Sequence, residues 1–292
     1  MTLLDGKATA DNIKAEIKSR VAARIDRCER APHIAAILVG EDPASLTYVS
    51  SKEKNSHEVG MTSSVYRYPA SITEKTLLEA VDFLNNDPEV DGFIVQLPLP
   101  PHIDEQEVIE RIEPSKDIDG FHPVNLGKMI LGLPAFLPAT PMGIITLIER
   151  YGIETRGKHC VILGRSNIVG TPVSILLSRK AQPGNCTVTL CHSFTTGISD
   201  FTRDADILVV AMGKHHFVKA GMVKKEAVVI DVGVHRIPDP SKKTGFRLEG
   251  DVDFREVAPR CSYITPVPGG VGPMTIVSLL QNALRACEME RS

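Results

Sequence analysis

In the stretch DPASLTYVSSK, Ser45, Tyr48 and Lys52 follow one another at spacings of three and four, which lines their side chains along one stripe of a helix. An amine and a phenol placed this way can exchange a proton with each other or with water. Gln96 closes the apolar run DGFIVQ at its carboxyl end, where α/β folds gather ligands. Asp119-Gly120, in PSKDIDGFHP, is a turn dipeptide carrying a carboxylate. Each has an ordinary reading too: a polar helical stripe usually faces water, and a strand-end glutamine or an Asp-Gly turn is common surface. None is diagnostic alone.

A second set of residues points at a phosphate. LGRSNIVGTP directly follows the apolar run HCVIL, where a dinucleotide fold puts its glycine-rich turn. The usual fingerprint is G-x-G-x-x-G, but only Gly164 and Gly170 are present, with Arg165, Ser166 and Asn167 between them. Thr171-Pro172 opens a helix, and the orphan N–H groups and dipole of a helix start attract an anion. The next strand ends Leu190-Cys191-His192-Ser193, with no acid to bind a ribose 2′-hydroxyl as in NAD sites. Arg165 can pair with a 2′-phosphate, and Ser166 and Ser193 can donate hydroxyl hydrogen bonds, so the pattern prefers NADP to NAD. Two glycines alone are weaker evidence, because every doubly wound sheet needs glycines at strand-to-helix turns.

The elements that must position these groups alternate. Ile13, Ile17, Val21 and Ile25 predict a helix over residues 7–28, and HIAAILVG a buried strand at 33–40. Asp42-Pro43 starts a helix that Gly60 stops; then come a strand at 63–68, a helix at 74–85 and a strand at 91–96. This rhythm implies a parallel sheet covered by helices. A Pro- and Gly-rich segment, 97–141, reads as irregular and as the domain boundary. Beyond it a linking helix at 141–151 leads to strands at 159–163, 187–192, 206–212 and 228–233, with helices at 172–180 and 221–225. Met274, Val277, Leu280 and Leu284 mark a last helix. The fold class is α/β.

With 292 residues, 42% of them hydrophobic, the chain can fill two cores. A net charge of -3 supplies no basic balance for nucleic acid or anionic membrane. Six cysteines without a C-x-x-C pair suit reduced thiols in a cytoplasmic protein, and no apolar run approaches a membrane span. Adjacent His215-His216 cannot easily share one ion from a strand or helix, and no acidic or cysteine partner is evident, so no metal is expected.

Taken in order, SLTYVSSKEKNSHEVGM, DGFIVQLPLP, PSKDIDGFHPVNLGKM, PATPMG, GRSNIVGTP, TVTLCHS, DVGV, GDVDF and ITPVPGGVGPMT resemble the bacterial bifunctional methylenetetrahydrofolate dehydrogenase/methenyltetrahydrofolate cyclohydrolase family over essentially the whole chain. The resemblance implies a three-layer α/β folate-binding catalytic domain (residues 1–140, completed by a helix at 273–292). It also implies a Rossmann-like NADP-binding domain (141–272), a cleft between the two, and a homodimer. It makes Lys52 the catalytic lysine, with Tyr48, Gln96 and Asp119 as its catalytic companions. Ser45, Leu97, Gly269, Gly270 and Pro273 join Tyr48, Gln96 and Asp119 around a tetrahydrofolate substrate. Gly164, Arg165, Ser166, Ser193, Val234 and Thr140 fall to NADP.

The implied chemistry suits these side chains. Hydride leaves the methylene bridge between N5 and N10, whose lone pairs stabilise the resulting cation, so placement matters more than a base. Hydrolysis of the methenyl product needs proton traffic, and an amine partly desolvated beside a cationic substrate releases its proton more readily. Two departures stand out: Ala139, where PCTPxG is common in the family, and a slightly long KAQPGNC at 180–186. No synthetase domain is present, so formate ligation is not expected. The competing readings are another two-domain NADP oxidoreductase of shikimate-dehydrogenase-like architecture and a binding protein that has lost catalysis. Tyr48 and Lys52 with Gln96 and Asp119 discriminate against both.

Overall fold

The computed structural model describes residues 1–242 and 245–289. The chain begins with β1 (Thr2–Leu3) and α1 (Gly6–Asp26), where Ile13, Ile17 and Val21 are buried and Ile25 is exposed. Then β2 (His33–Val39), α2 (Pro43–Glu58), β3 (Thr62–Tyr68), α3 (Glu74–Asn86) and β4 (Gly92–Val95) alternate as the hydrophobic periods require. Asp42 caps α2 by accepting the Ser45 N–H at 2.7 Å, Pro43 sits in its first turn, and Gly60 adopts φ 86° just past its end. α4 (Glu105–Arg111), α5 (Pro123–Ile130) and α6 (Ala139–Arg150) lead to β5 (His159–Leu163), α7 (Gly170–Ser178), β6 (Thr187–Cys191), α8 (Ile198–Thr202), β7 (Ile207–Val210) and β8 (Val228–Asp231). A hairpin of β9 (His235–Pro238) and β10 (Phe246–Glu249), then α9 (Phe254–Val257), β11 (Tyr263–Ile264) and α10 (Val271–Met289), complete the described chain.

Two compact units result. One contains Asp11–Ala139 and Ile276–Ser292. Its parallel sheet has the order β3-β2-β4. Successive side chains of a strand face opposite ways. Ala35, Ile37 and Val39, with Phe93 and Val95, pack against Leu77, Val81 and Leu84 of α3 and Val108 of α4. On the other face, Ile34, Ala36 and Ile94 meet Val49, Lys52 and Ser56 of α2 and Leu279 of α10. The unit is thus three layers deep, and Lys52 belongs to the layer on the α2 side.

The other unit contains Met1–Ala10 and Thr140–Thr275. Its six strands run parallel in the order β1-β11-β8-β7-β5-β6. β5 lies between β6 and β7, so the winding reverses there, and the carboxyl ends of β5 and β7 flank the crevice where doubly wound sheets bind ligands.

Several expectations are corrected. Residues 1–10 lie with the dinucleotide-type unit and not with the first domain: Thr2 pairs with Tyr263 and Leu3 with Ile264, a two-residue strand too short to show a period. The segment 97–141 holds α4 and α5, each capped by the side chain before it, Asp104 or His122. The helix expected at 221–225 is a single 3-10 turn, Ala220–Met222. The last helix begins at Val271, and residues 290–292 of its expected span lie outside the described residues.

Candidate active site

Ser45, Val49, Lys52 and Ser56 form the buried stripe of α2, so the lysine stem is packed while Tyr48, on the flank, is 43% exposed. Lys52 Nζ donates to Gln96 Oε1 at 3.4 Å and lies 3.9 Å from Asp119 Oδ1. Gln96 is oriented twice: its backbone N–H donates to the Ile37 carbonyl at 2.9 Å, and its Nε2 donates to the Leu97 carbonyl at 2.7 Å. That leaves the amide oxygen for the lysine. The Leu97 side chain packs with the cluster on the α3 face, and its carbonyl is what meets Gln96.

Asp119 stands on a turn built by Asp117, which the sequence reading passed over. Asp117 accepts the N–H groups of Gly120, Phe121 and His122 at 3.1, 3.2 and 2.8 Å, and Nδ2 of Asn125 at 3.0 Å. Gly120 has φ 75°, and a Cβ there would lie 2.5 Å from the Leu137 backbone. From α10, Asn282 donates to the carbonyls of Ile118 and Leu137 at 2.9 and 3.0 Å, fixing the same turn from behind. Burial pushes the Asp119 carboxyl above its ordinary range; Lys52 pulls it down and Asp117 pushes it up, and the net direction is upward.

In the other unit the two glycines of the loop have distinct geometric reasons. Gly164 follows β5 at φ 112°, and a Cβ there would lie 2.1 Å from the Ala211 carbonyl oxygen at the end of β7. Gly170 begins α7 so close that its Cβ would lie 1.9 Å from the Gly164 oxygen. The N-terminus of α7 has no side-chain cap. Ser166 shapes the loop, its Oγ accepting the Val169 N–H at 3.2 Å and its carbonyl the Thr171 N–H at 3.1 Å. The Arg165 guanidinium lies 5.9 Å from the ring centre of Phe194, beside Ser193 in the turn after β6. The structure therefore brings Arg165 to the ring of Phe194, the residue after Ser193, an unforeseen platform.

Val234 is 53% exposed in the turn after β8, and Thr140 shares a 2.9 Å hydroxyl hydrogen bond with Thr275. Two further aspartates escaped sequence reasoning. Asp231 accepts N–H groups of Gly233, Asp251 and Val252 at 3.0, 3.1 and 2.9 Å, and burial nonetheless pushes its carboxyl up to about 7. Asp251 accepts the N–H groups of Met212 and Gly213 at 2.7 and 2.9 Å and meets His235 Nε2 at 2.7 Å. Together they tie the turns after β7 and β8, and DVGV and GDVDF were the signals. Gly269, Gly270 and Pro273 lie in this unit also: the Gly269 carbonyl accepts the Lys7 N–H at 2.9 Å, and Gly270 abuts Gly6.

The expectation that His215-His216 have no acidic partner is overturned. Glu249 Oε2 lies 2.6 Å from His215 Nε2 and 3.3 Å from His216 Nε2. The pair sits in neither strand nor helix: His216 has φ 49°, and the two rings stack with centres 3.9 Å apart. The acid comes from the β9–β10 hairpin, which the sequence reading did not anticipate.

The model of the tetrahydrofolate dehydrogenase/cyclohydrolase catalytic domain matches residues 4–119, and that of the corresponding NAD(P)-binding domain matches residues 138–291. The bifunctional protein FolD of Cytophaga hutchinsonii is 58% identical over 290 residues, 99% of this chain and 100% of that protein. The bifunctional FolD methylenetetrahydrofolate dehydrogenase/cyclohydrolase of Campylobacter jejuni superposes with a TM-score of 0.93 at 45% identity, covering 99% of each chain. The Trypanosoma brucei dehydrogenase-cyclohydrolase, solved with NADP and an inhibitor, gives 0.93 at 38%, covering 98% of this chain and 97% of that one.

Proposed function

The chain belongs to the tetrahydrofolate dehydrogenase/cyclohydrolase family, and from that premise we propose that Lys52, held between Gln96 and Asp119, is the proton-handling group of its folate site. The protein oxidises 5,10-methylenetetrahydrofolate to the 5,10-methenyl form with NADP and hydrolyses that product to 10-formyltetrahydrofolate. The observation that carries the residue assignment is the amine of Lys52 within 3.4 Å of Gln96 Oε1 and 3.9 Å of Asp119 Oδ1.

The pterin edge presents an N–H and an amino group, two donors that the Asp119 carboxylate accepts together. The Tyr48 ring covers the substrate, its hydroxyl reaching Lys52 or water, and Ser45 completes that side. In the first step these residues hold the methylene carbon still while its hydride departs; NADP, when bound, supplies the hydride acceptor. In the second, water adds to the methenyl carbon and gives one proton to Lys52; the lysine returns that proton to N5 as the C–N5 bond breaks, and the remaining hydroxyl proton is released to solvent as the formyl C=O forms on N10. Gln96 holds the amine without charge, whereas an acid at that position would pin the lysine protonated.

NADP fits the other unit. The backbone approach that excludes a Cβ at Gly164 and Gly170, and an uncapped helix start, support a phosphate site there, and Arg165, Ser166 and Ser193 are our candidates for the 2′-phosphate. Val234, Thr140 and the loop of Gly269, Gly270 and Pro273 complete the two binding surfaces. We assign residues 1–10 to the NADP unit, residues 11–139 to the folate unit, and the chain to a cytoplasmic homodimer. Its thiols are free, five of the six are buried, and no described helix is long and apolar enough to cross a membrane. Sedimentation velocity at micromolar protein tests the dimer. Methenyltetrahydrofolate absorbance tests the catalytic assignment. It rises when NADP and the methylene substrate are supplied, decays in enzyme without cofactor, and in Lys52→Met fails to decay faster than in buffer. An intact rate of decay in that variant removes Lys52 from the role.

A further inference from the structure

His215, His216 and Glu249 gather three ligand atoms, all within 4.8 Å of one another. The left-handed φ of 49° at His216 makes this possible for neighbouring residues, because it stacks the two rings on the same side of the loop after β7. Glu249 Oε2 is hydrogen-bonded to His215 Nε2 at 2.6 Å and lies 3.3 Å from His216 Nε2; the second separation is that of two ligands on a tetrahedral ion about 2.0–2.2 Å from each, and the first widens when an ion displaces the shared proton.

The surroundings orient every member. Arg247 Nε donates to Glu249 Oε1 at 2.7 Å, which turns Oε2 toward the histidines. Asp253 Oδ2, itself held by Lys219 at 2.7 Å, lies 3.6 Å from His216 Nδ1. A carboxylate on that side of the ring favours a proton on Nδ1, the tautomer that leaves Nε2 to ligate. His235 lies edge-on to His215 at 5.6 Å with its Nε2 engaged by Asp251, so it walls the cluster and is not a fourth ligand. His216, Glu249 and Asp253 also border a cavity of about 420 Å³, which leaves room for water or a small anion on the ion's open side.

We propose that His215, His216 and Glu249 form a binding site for a divalent transition-metal ion of the zinc class, clamping the loop after β7 to the β9–β10 hairpin. Two imidazoles and one carboxylate with an open side are a donor set for zinc, cobalt or nickel and not for magnesium or calcium, which take oxygen ligands. The site uses none of the residues given to folate or NADP, so its fate is separable from theirs.

The test uses the full chain, with any affinity tag removed and resident metal stripped by chelator, dialysed against Zn²⁺ and assayed by elemental analysis. The expected result is one ion per chain, with affinity reduced at least about tenfold in His216→Asn and in Glu249→Gln, and unchanged in Cys28→Ser. Circular dichroism checks that each variant is folded. Co²⁺ should give visible d–d bands that both site variants lose, and a tenfold excess of Mg²⁺ should leave these bands unchanged. Failure of the wild-type chain to hold zinc overturns the proposal. So does equal binding by folded variants, the result expected if the histidines only hydrogen-bond Glu249.

Discussion

Lys52 Nζ lies 3.9 Å from Asp119 Oδ1, a pairing between the inner stripe of α2 and a turn anchored by Asp117 and Asn282. Burial and the lysine work in opposite directions on this carboxyl: burial raises its pKa, Lys52 lowers it, and the net direction is upward.

Folate binding that uses ionised Asp119 therefore weakens as pH falls through this raised value. Removing the nearest cation raises the value further, so in Lys52→Met the folate KM of the dehydrogenase should begin to climb at a higher pH than in wild type. An unmoved inflection means that Asp119 does not sense Lys52. Asp119→Ala loses two charge-assisted hydrogen bonds of about 1.5–3 kcal/mol each, so its folate KM should rise at least about tenfold at every pH. Unchanged binding would take Asp119 out of the pocket.

Arg165 lies over the ring of Phe194, in the turn after β6 where an NAD enzyme would carry an acid. Arg165→Ala should cost NADP at least about tenfold in affinity, the value of one charge-assisted contact, and leave NAD little changed. Fluorescence titration of both nucleotides reads the difference. Equal losses argue for general loop damage instead.

Gly164 and Gly127 should answer alanine in opposite ways. At Gly164 the added Cβ meets the Ala211 oxygen at 2.1 Å, so Gly164→Ala should lose at least about 1–3 kcal/mol and most NADP binding. Gly127, in α5, meets nothing within 4 Å, and Gly127→Ala should gain about 0.5–1 kcal/mol. Chemical denaturation of the two variants is the check, and a stable Gly164→Ala that binds NADP contradicts the close approach.

Asp231 should titrate near neutrality, since burial pushes it up to about 7 despite three N–H donors. In the unfolded chain an aspartate titrates near 3.9, so the folded form keeps a proton that the unfolded form gives up. The stabilisation from this group is full below about pH 4 and is lost as pH rises through about 7. A carbon NMR titration of the Asp231 carboxyl should show its midpoint near 7, and one near 4 would show that the hydrogen bonds prevail over burial.

Much of this site was legible because the signals were local. The continuous apolar run HIAAILVG, the Asp42-Pro43 start and the spacing of Ser45 and Lys52 set α2 against the sheet, while Tyr48 falls on its exposed flank. Gly164 and Gly170 were visible as residues but not as reasons, since the Ala211 oxygen that demands the first belongs to another strand. Asp117 was hidden beside Asp119 because nothing in a single sequence tells the aspartate that builds a turn from the one the turn presents. The pairing of β1 with β11, and of His215 with Glu249 34 residues away, depends on chain reversals that no periodicity encodes.

One lysine moves the protons of hydrolysis while hydride transfer depends on placement. Both steps should be assayed on wild type and Lys52→Met, with NADP and with NAD, at saturating folate. The variant should lose methenyl hydrolysis down to the rate in buffer, keep measurable methylene oxidation, and retain the wild-type preference for NADP. Hydrolysis at the wild-type rate in Lys52→Met would remove the lysine from proton transfer.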